Sequence, residues 1–250
     1  MKFVRFISEG QERYGVLEGE TIRVVKGDIF THYEVTAEER SLAEVTLTYP
    51  CVPSKILAVG LNYRSHLRDR PVPKEPVLFL KANTALLPPE GTIVLPPDVG
   101  RVDSEGELVV VMKQRAKRVS EEEALRYVLG YTCGNDVSAR VYQRSDGQWM
   151  RAKSIDTFAP LGPWIVEGLD PSTLDLTTRI NGEVVQHQNT GDLIFNVPFL
   201  ISFISRFITL LPGDVIYTGT PGTTGAMKDG DVVEVEIEGI GTLRNYVKAE

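Results

Sequence analysis

The sequence predicts a β-rich α+β protein, on three observations. Short strand-like runs outnumber helical ones. The two clear helical segments do not alternate with strands in the βαβ order of a parallel-sheet protein. The closing run "DVVEVEIEGIGTLRNYVK" sets Val233, Val235 and Ile237 against Glu234, Glu236 and Glu238, the two-residue period of a half-exposed hairpin. A length of 250 residues supports one large domain, or one large and one small, with a substantial core.

At the N-terminus, "KFVRFI" and "RYGVLEGETIRVV" read as short strands joined by a turn at Glu18-Gly19-Glu20. With the two prolines of "YPCVPSK" as a linker, residues 1–52 are expected to form a small β-rich domain and residues 53–250 the main one. "KILAVG" is a strand. "NYRSHLRDRPVPKEP" is polar and broken by prolines at 71, 73 and 76, so it is expected to be a weakly anchored loop or short helix. "VLFLK" is a strand, and "PPEGTIVLPPDVG" is rich in turns. "VSEEEALRYVLGYT" carries helix signals, with Ser120 as cap, Glu123 reaching back and Gly130 as stop. "NVPFLISFISRFITLLPGD" carries those of a second helix, with Asn196 or Val197 at the cap and Pro198 in the first turn.

Composition narrows the function. The chain is 42% hydrophobic and 24% charged, ordinary for a soluble protein. Its formal net charge of -7 leaves no basic excess for nucleic acid, although a metal or a few local cations can still receive an anionic substrate. Cys51 and Cys133 lie far apart with no metal-like or redox-like spacing, which fits a reduced, cytoplasmic setting. The opening "MKFVRFISEG" holds charges too closely spaced for a signal-peptide core. The longest apolar candidate, "VPFLISFISRFITLL", is interrupted by Arg206, so no membrane association is expected.

The run "DSEGELVVVM" poses the chemical question. Leu108 to Val111 can only be a buried strand, yet acids stand at every second position before it: Asp103, Glu105 and Glu107. On one strand they share a face, and like charges beside an apolar interior call for a cation or water. Asp136 in "CGNDVSAR" offers another carboxylate, beyond a Gly-Asn turn. No Cys/His cluster has zinc spacing, so a metal here would be held by oxygen and be hard, such as Mg²⁺. His66 in "NYRSHLRD" has Asp69 three residues on, where on a helix the carboxylate would orient the imidazole as a general base. Lys153 sits among aromatics and prolines in "MRAKSIDTFAPLGPW" as a partly buried cation. "GTPGTTG", around Thr220, is a glycine-rich turn that could hold a carboxylate.

Together these segments resemble the fumarylacetoacetate hydrolase family. "GLNYRSH", "LFLKANTAL", "SEGELVVVM", "GYTCGNDVSAR", "RAKSIDTFAPLGPW", "NGEVVQHQNTGDLIF" and "LLPGDVIYTGTPGTTG" follow its block order across roughly residues 55 to 247. The resemblance implies a mixed β-sandwich roll, a catalytic domain over residues 53–250, a homodimer, and one Mg²⁺ or Mn²⁺ on Glu105, Glu107 and Asp136. It implies catalytic roles for His66, Asp69 and Lys153, the histidine on a mobile lid, and substrate-side places for Lys81, Gln186, Thr190 and Thr220. Asp103 is then not a ligand. Two positions depart from the pattern: Asp69 stands where many members have Glu, and "FLKAN" lacks a proline after Lys81.

A 2-oxo acid can bind such a metal through its carboxylate and keto oxygens, and the ion then stabilises the enolate formed when a neighbouring bond breaks. The texture of "FLISFISRFITLLPGDVIYTGTP" is nearest the members that decarboxylate or isomerise 2-oxo-ene or 2-hydroxy-diene dicarboxylates in aromatic-acid breakdown. An acylpyruvate- or fumarylpyruvate-type hydrolase of 2,4-dioxo acids is the alternative. A non-catalytic metal- or anion-binding protein on the same scaffold is the rival from another class.

Overall fold

The Gly106–Met112 strand lies at the centre of the molecule and explains its own apolar sequence. Side chains alternate across a strand. Leu108, Val110 and Met112 face a cluster with Leu200, Ile201 and Ile204, whereas Val109 and Val111 face a second one with Ile56, Leu161 and Tyr217. Both faces are covered, so the strand has no solvent side on which to place polar residues.

The computed structural model describes residues 1–67 and 70–250. Around the central strand a large mixed sheet runs in the order Tyr33–Ser41, Thr21–Gly27, Gln11–Glu18, Lys2–Ser8, Ala159–Val166, Val128–Asn135, Gly106–Met112, Val215–Tyr217, Ile56–Gly60 and Val77–Lys81. A five-stranded sheet packs against one face; it contains the C-terminal hairpin Val232–Ile237 and Gly241–Ala249, with Val233, Val235 and Ile237 buried as their alternation requires. A three-stranded sheet of Val102–Ser104, Ser138–Ala139 and Gly225–Met227 closes the end where the acids lie. The fold is β-rich α+β.

The N-terminal strands form an antiparallel meander that joins the large sheet through Lys2–Ser8 and Ala159–Val166. The helix Val197–Phe207 forms as its signals predict: Asn196 Oδ1 accepts from Phe199 N at 2.9 Å, and a proline stands in its first turn.

Two local expectations fail. The segment predicted as a helix through Gly130 is helical only at Glu121–Ala124, followed by one tighter turn at Leu125–Tyr127. From Val128 it is strand, and Ser120 makes no capping bond from its side chain. Leu129 and Tyr131 are buried, and pairing with the central strand outweighs the local helix signals. The acidic run is not one strand either. It breaks at Glu105, with Asp103 in the small sheet and Glu107 in the large one.

Gly134 shows how tightly the layers close. A Cβ there would stand 2.5 Å from both the Tyr217 ring and Val109. Gly134→Ala is therefore expected to destabilise the fold by about 1–3 kcal/mol, measured by chemical denaturation. An unchanged midpoint would mean that Tyr217 repacks freely.

Candidate metal centre and cavity

The ladder register builds the acidic site. Gly106 pairs with Asn135 and Glu107 with Gly134, so the end of one strand and the start of its neighbour meet at one edge. There the Glu105 N–H donates to Asn135 Oδ1 at 2.8 Å, and the Asp136 N–H donates to the Glu105 carbonyl at 2.8 Å. These bonds turn Glu105 and Asp136 toward Glu107. One oxygen from each carboxylate lies within 4.8 Å of the others, and all three residues are buried. Asp103 is not among them. It is buried behind the group, where it accepts from Arg101, Arg140 and Thr224.

Cations surround two of the three acids. Lys153, the last residue of the four-residue helix Met150–Lys153, donates to Glu105 at 2.7 Å and pairs with Asp136; its ammonium stands 5.2 Å from the Phe79 ring centroid. Lys81, from the edge strand, pairs with the other Asp136 oxygen. Arg140 donates to Glu105 at 2.5 Å and to Asp103 at 2.8 Å. Burial alone would raise the Glu105 carboxyl, but the Lys153 and Arg140 charges outweigh it and hold the group at about 2. Lys153 likewise stays a firm cation: Asp136 and Glu105 overcome the burial that would lower it.

Glu107 is different. It accepts one hydrogen bond, from Gly219 N at 2.7 Å, and has no ion pair among the described residues. Burial, and then the negative charges of Asp136 and Glu105, push it well above the ordinary carboxylate value. A buried carboxylate beside two others and without its own cation fits a missing positive charge.

The triad forms part of the wall of a cavity of about 330 Å³, lined also by His66, Arg70, Arg140, Arg144, Trp149, Lys153 and Thr220. His66 Nδ1 lies 3.1 Å from the Thr220 carbonyl oxygen. A carbonyl only accepts, so Nδ1 carries a proton, and in the neutral ring the lone pair is then on Nε2. The orienting partner found for His66 is thus a backbone carbonyl; Asp69, expected in that role, lies outside the described residues. Residues 62–67 are also firmly held. Asn62 bonds Phe195 and Thr218, Tyr63 bridges Leu193, and the Ser65 N–H donates to Asp192 at 3.0 Å. The segment holds the expected short helix, at Arg64–Leu67, and over residues 62–67 the polar side chains and backbone that suggested weak anchoring are themselves anchors.

The expected substrate-side residues divide. Thr220 lines the cavity, and its hydroxyl donates to the Gly106 carbonyl at 3.0 Å. Gln186 lies behind it, accepting from Gly106 N at 2.9 Å and donating to Thr220 Oγ1 at 2.8 Å. Thr190 is not in this wall; its hydroxyl accepts from Leu174 N at 2.8 Å and fastens a turn. Lys81 also lies outside the lining, fully enclosed against Asp136. Arg70, Arg140, Arg144 and Trp149 went unread in the sequence. Arg140 had a signal, four residues after Asp136 in the same block; the other three look like ordinary surface residues until the chain is folded.

Residues 55–248 match the family described as fumarylacetoacetate (FAA) hydrolase C-terminal, and residues 1–50 match that described as Rv2993c-like, N-terminal. The crystal structure of 2-hydroxyhepta-2,4-diene-1,7-dioate isomerase from Mycobacterium marinum superposes with a TM-score of 0.95 at 44% identity, covering 100% of this chain and 99% of that one. A 2,4-didehydro-3-deoxy-L-rhamnonate hydrolase of Sphingomonas sp. is 40% identical over 99% of this chain and 96% of its own length. A mitochondrial oxaloacetate tautomerase of Bos taurus is 39% identical over 98% of this chain and 79% of its own length.

The two glutamates should part company in protein treated with a chelator. The Glu107 carboxyl is raised, so its favourable contribution is complete below about pH 4.5 and is lost as pH climbs through its folded value. Glu105, held at about 2, contributes above about pH 4.5 and loses that contribution as pH falls. At neutral pH, Glu107→Gln should melt above the parent, by a margin that shrinks toward pH 4.5. Glu105→Gln should melt below it, because Lys153 and Arg140 lose a charged partner. Thermal denaturation across that range checks both, and a Glu107→Gln protein that melts below the parent at neutral pH contradicts the charge assignment.

Proposed function

This chain belongs to the fumarylacetoacetate hydrolase family, and on that premise we propose a divalent-metal-dependent enzyme that decarboxylates or isomerises 2-oxo or 2-hydroxy-diene dicarboxylates of aromatic-acid breakdown. One observation carries the reading: three converging buried carboxylates and several cationic side chains line the same cavity. Glu105, Glu107 and Asp136 would hold the ion. Their all-oxygen donor set and the uncompensated Glu107 fit a hard cation, Mg²⁺ or Mn²⁺. When bound, such an ion supplies a Lewis acid that draws charge from the keto oxygen of a 2-oxo acid.

The protein's own side chains bind the substrate and move its proton. Lys153 spends two ammonium hydrogens on Glu105 and Asp136, and the third donates to an anionic substrate oxygen. Arg140, Arg70 and Arg144 receive carboxylate charge. His66 Nε2 takes a proton from the carbon beside the keto group and returns it at another position, which is isomerisation. In decarboxylation the bond to the β-carboxylate breaks and CO₂ leaves, the electron pair stays on the carbon beside the keto group, and His66, having taken a proton from water at Nε2, delivers it there. Trp149 and the docked segment 62–67 limit the entry of water. Division at residues 52 and 53 belongs to the same proposal. So does a homodimer, which would cover the exposed Val77, Leu80 and Met150 beside the open sheet edge.

The isomerase and the tautomerase among the relatives support proton-shift chemistry. The Sphingomonas hydrolase supports a second reading, cleavage of a C–C bond in a 2,4-dioxo acid by water activated at His66. Turnover of oxaloacetate and of an acylpyruvate, with and without EDTA, separates the two readings and both from a non-catalytic binding protein. Neither substrate turning over would leave the binding protein standing.

Lys153→Met should raise KM and lower kcat together, since the lost cation serves both ground and transition states. His66→Gln should slow deuterium exchange at the carbon beside the keto group by about 100-fold or more, followed by NMR in D₂O. Parent-like kinetics in either variant would remove that residue from the mechanism.

A further inference from the structure

A second cavity, of about 440 Å³, adjoins the first and shares His66, Arg70 and Arg140 with it. Its remaining lining is Leu67, Arg101, Gly222, Thr223 and Thr224. The main cavity carries three carboxylates, whereas this one carries three guanidiniums and two hydroxyls with no carboxylate among its described lining residues.

Asp103, the acid left out of the triad, explains the arrangement. Its buried carboxylate accepts from Arg101 Nε at 2.6 Å and Nη2 at 3.1 Å, from Arg140 Nε at 2.8 Å and from Thr224 Oγ1 at 2.6 Å. Arg101 is thereby clamped along one edge of its planar group, and its Nη1 has no partner among the described residues. A guanidinium held in this way is pre-organised for a second anion. An apolar substrate tail would displace water from these groups without replacing its hydrogen bonds, whereas a carboxylate would replace them with charge-assisted ones.

Resting on the reading of the main cavity as a 2-oxo acid site, we propose that the side cavity seats the second carboxylate of the substrate. Arg101 is then the residue that selects dicarboxylic over monocarboxylic 2-oxo acids. Its side chain is 56% exposed, and when it is replaced the buried Asp103 keeps its bonds from Arg140 and Thr224.

Calorimetry on the Mn²⁺-loaded protein tests this without requiring turnover. The probes are oxaloacetate, 2-oxoglutarate and 2-oxoadipate, each against the monocarboxylic acid of equal length: 2-oxobutyrate, 2-oxovalerate and 2-oxohexanoate. At the length that reaches the side cavity, the parent protein should prefer the dicarboxylate by about tenfold or more. In Arg101→Gln that ratio should fall close to one, with Mn²⁺ affinity as in the parent. Equal binding of both classes by the parent overturns the proposal. So does a preference that persists in Arg101→Gln, or a variant that weakens both classes alike. If none of the six acids binds, the 2-oxo acid reading of the main cavity fails, and this proposal fails with it.

Discussion

Three carboxylates brought together in the interior set the terms for the surrounding structure. Glu105, Glu107 and Asp136 repel one another where water cannot screen them. The neighbouring architecture answers that repulsion. A four-residue helix ends on Lys153, the sheet's edge strand ends on Lys81, and the Arg140–Ser145 helix begins with Arg140. Each delivers a cation to Glu105 or Asp136, and removing any one would leave buried charge without its partner. Glu107 receives no cation, so the residual strain collects on the residue nearest the centre of the large sheet.

Those same charges determine what was legible in the sequence. Glu105, Glu107 and Asp136 stood out because carboxylates leading into "LVVVM" have no reason to be there without a partner. The C-terminal hairpin and the Asn196-capped helix were legible because a simple period or a capping bond settles each locally. Residues 119–132 misled because their helix signals are local, whereas the outcome is set by pairing with a strand that is adjacent only in the folded protein. Asp103 misled for a related reason: alternation assumes one unbroken strand, and the chain turns at Glu105.

The arginines were hard to read for a different reason. Arg70 and Arg101 occur in loops and Arg144 on the exposed side of the Arg140–Ser145 helix, places where charged residues are the norm. Only the meeting of separate segments, among them those near residues 66, 101, 140 and 222, turns them into the walls of the two cavities. His66 is an intermediate case. The residue was visible in sequence, but its hydrogen bond to the Thr220 carbonyl joins positions 154 apart in the chain.

The glutamine behind Thr220 gives the site a mechanical side. Gln186 belongs to the five-stranded sheet, yet its side chain grips the Gly106 N–H between Glu105 and Glu107, and also Thr220 and Pro221. The two layers of the sandwich are therefore riveted together at the point where the carboxylates converge. The layers cannot slide apart without splaying the ligands. Any ion that grips the triad then braces the whole sandwich, so its affinity and the free energy of global unfolding are linked quantities. Substitutions that loosen the sandwich far from the cavity would register as a weaker grip on the ion, with every cavity residue still in its place.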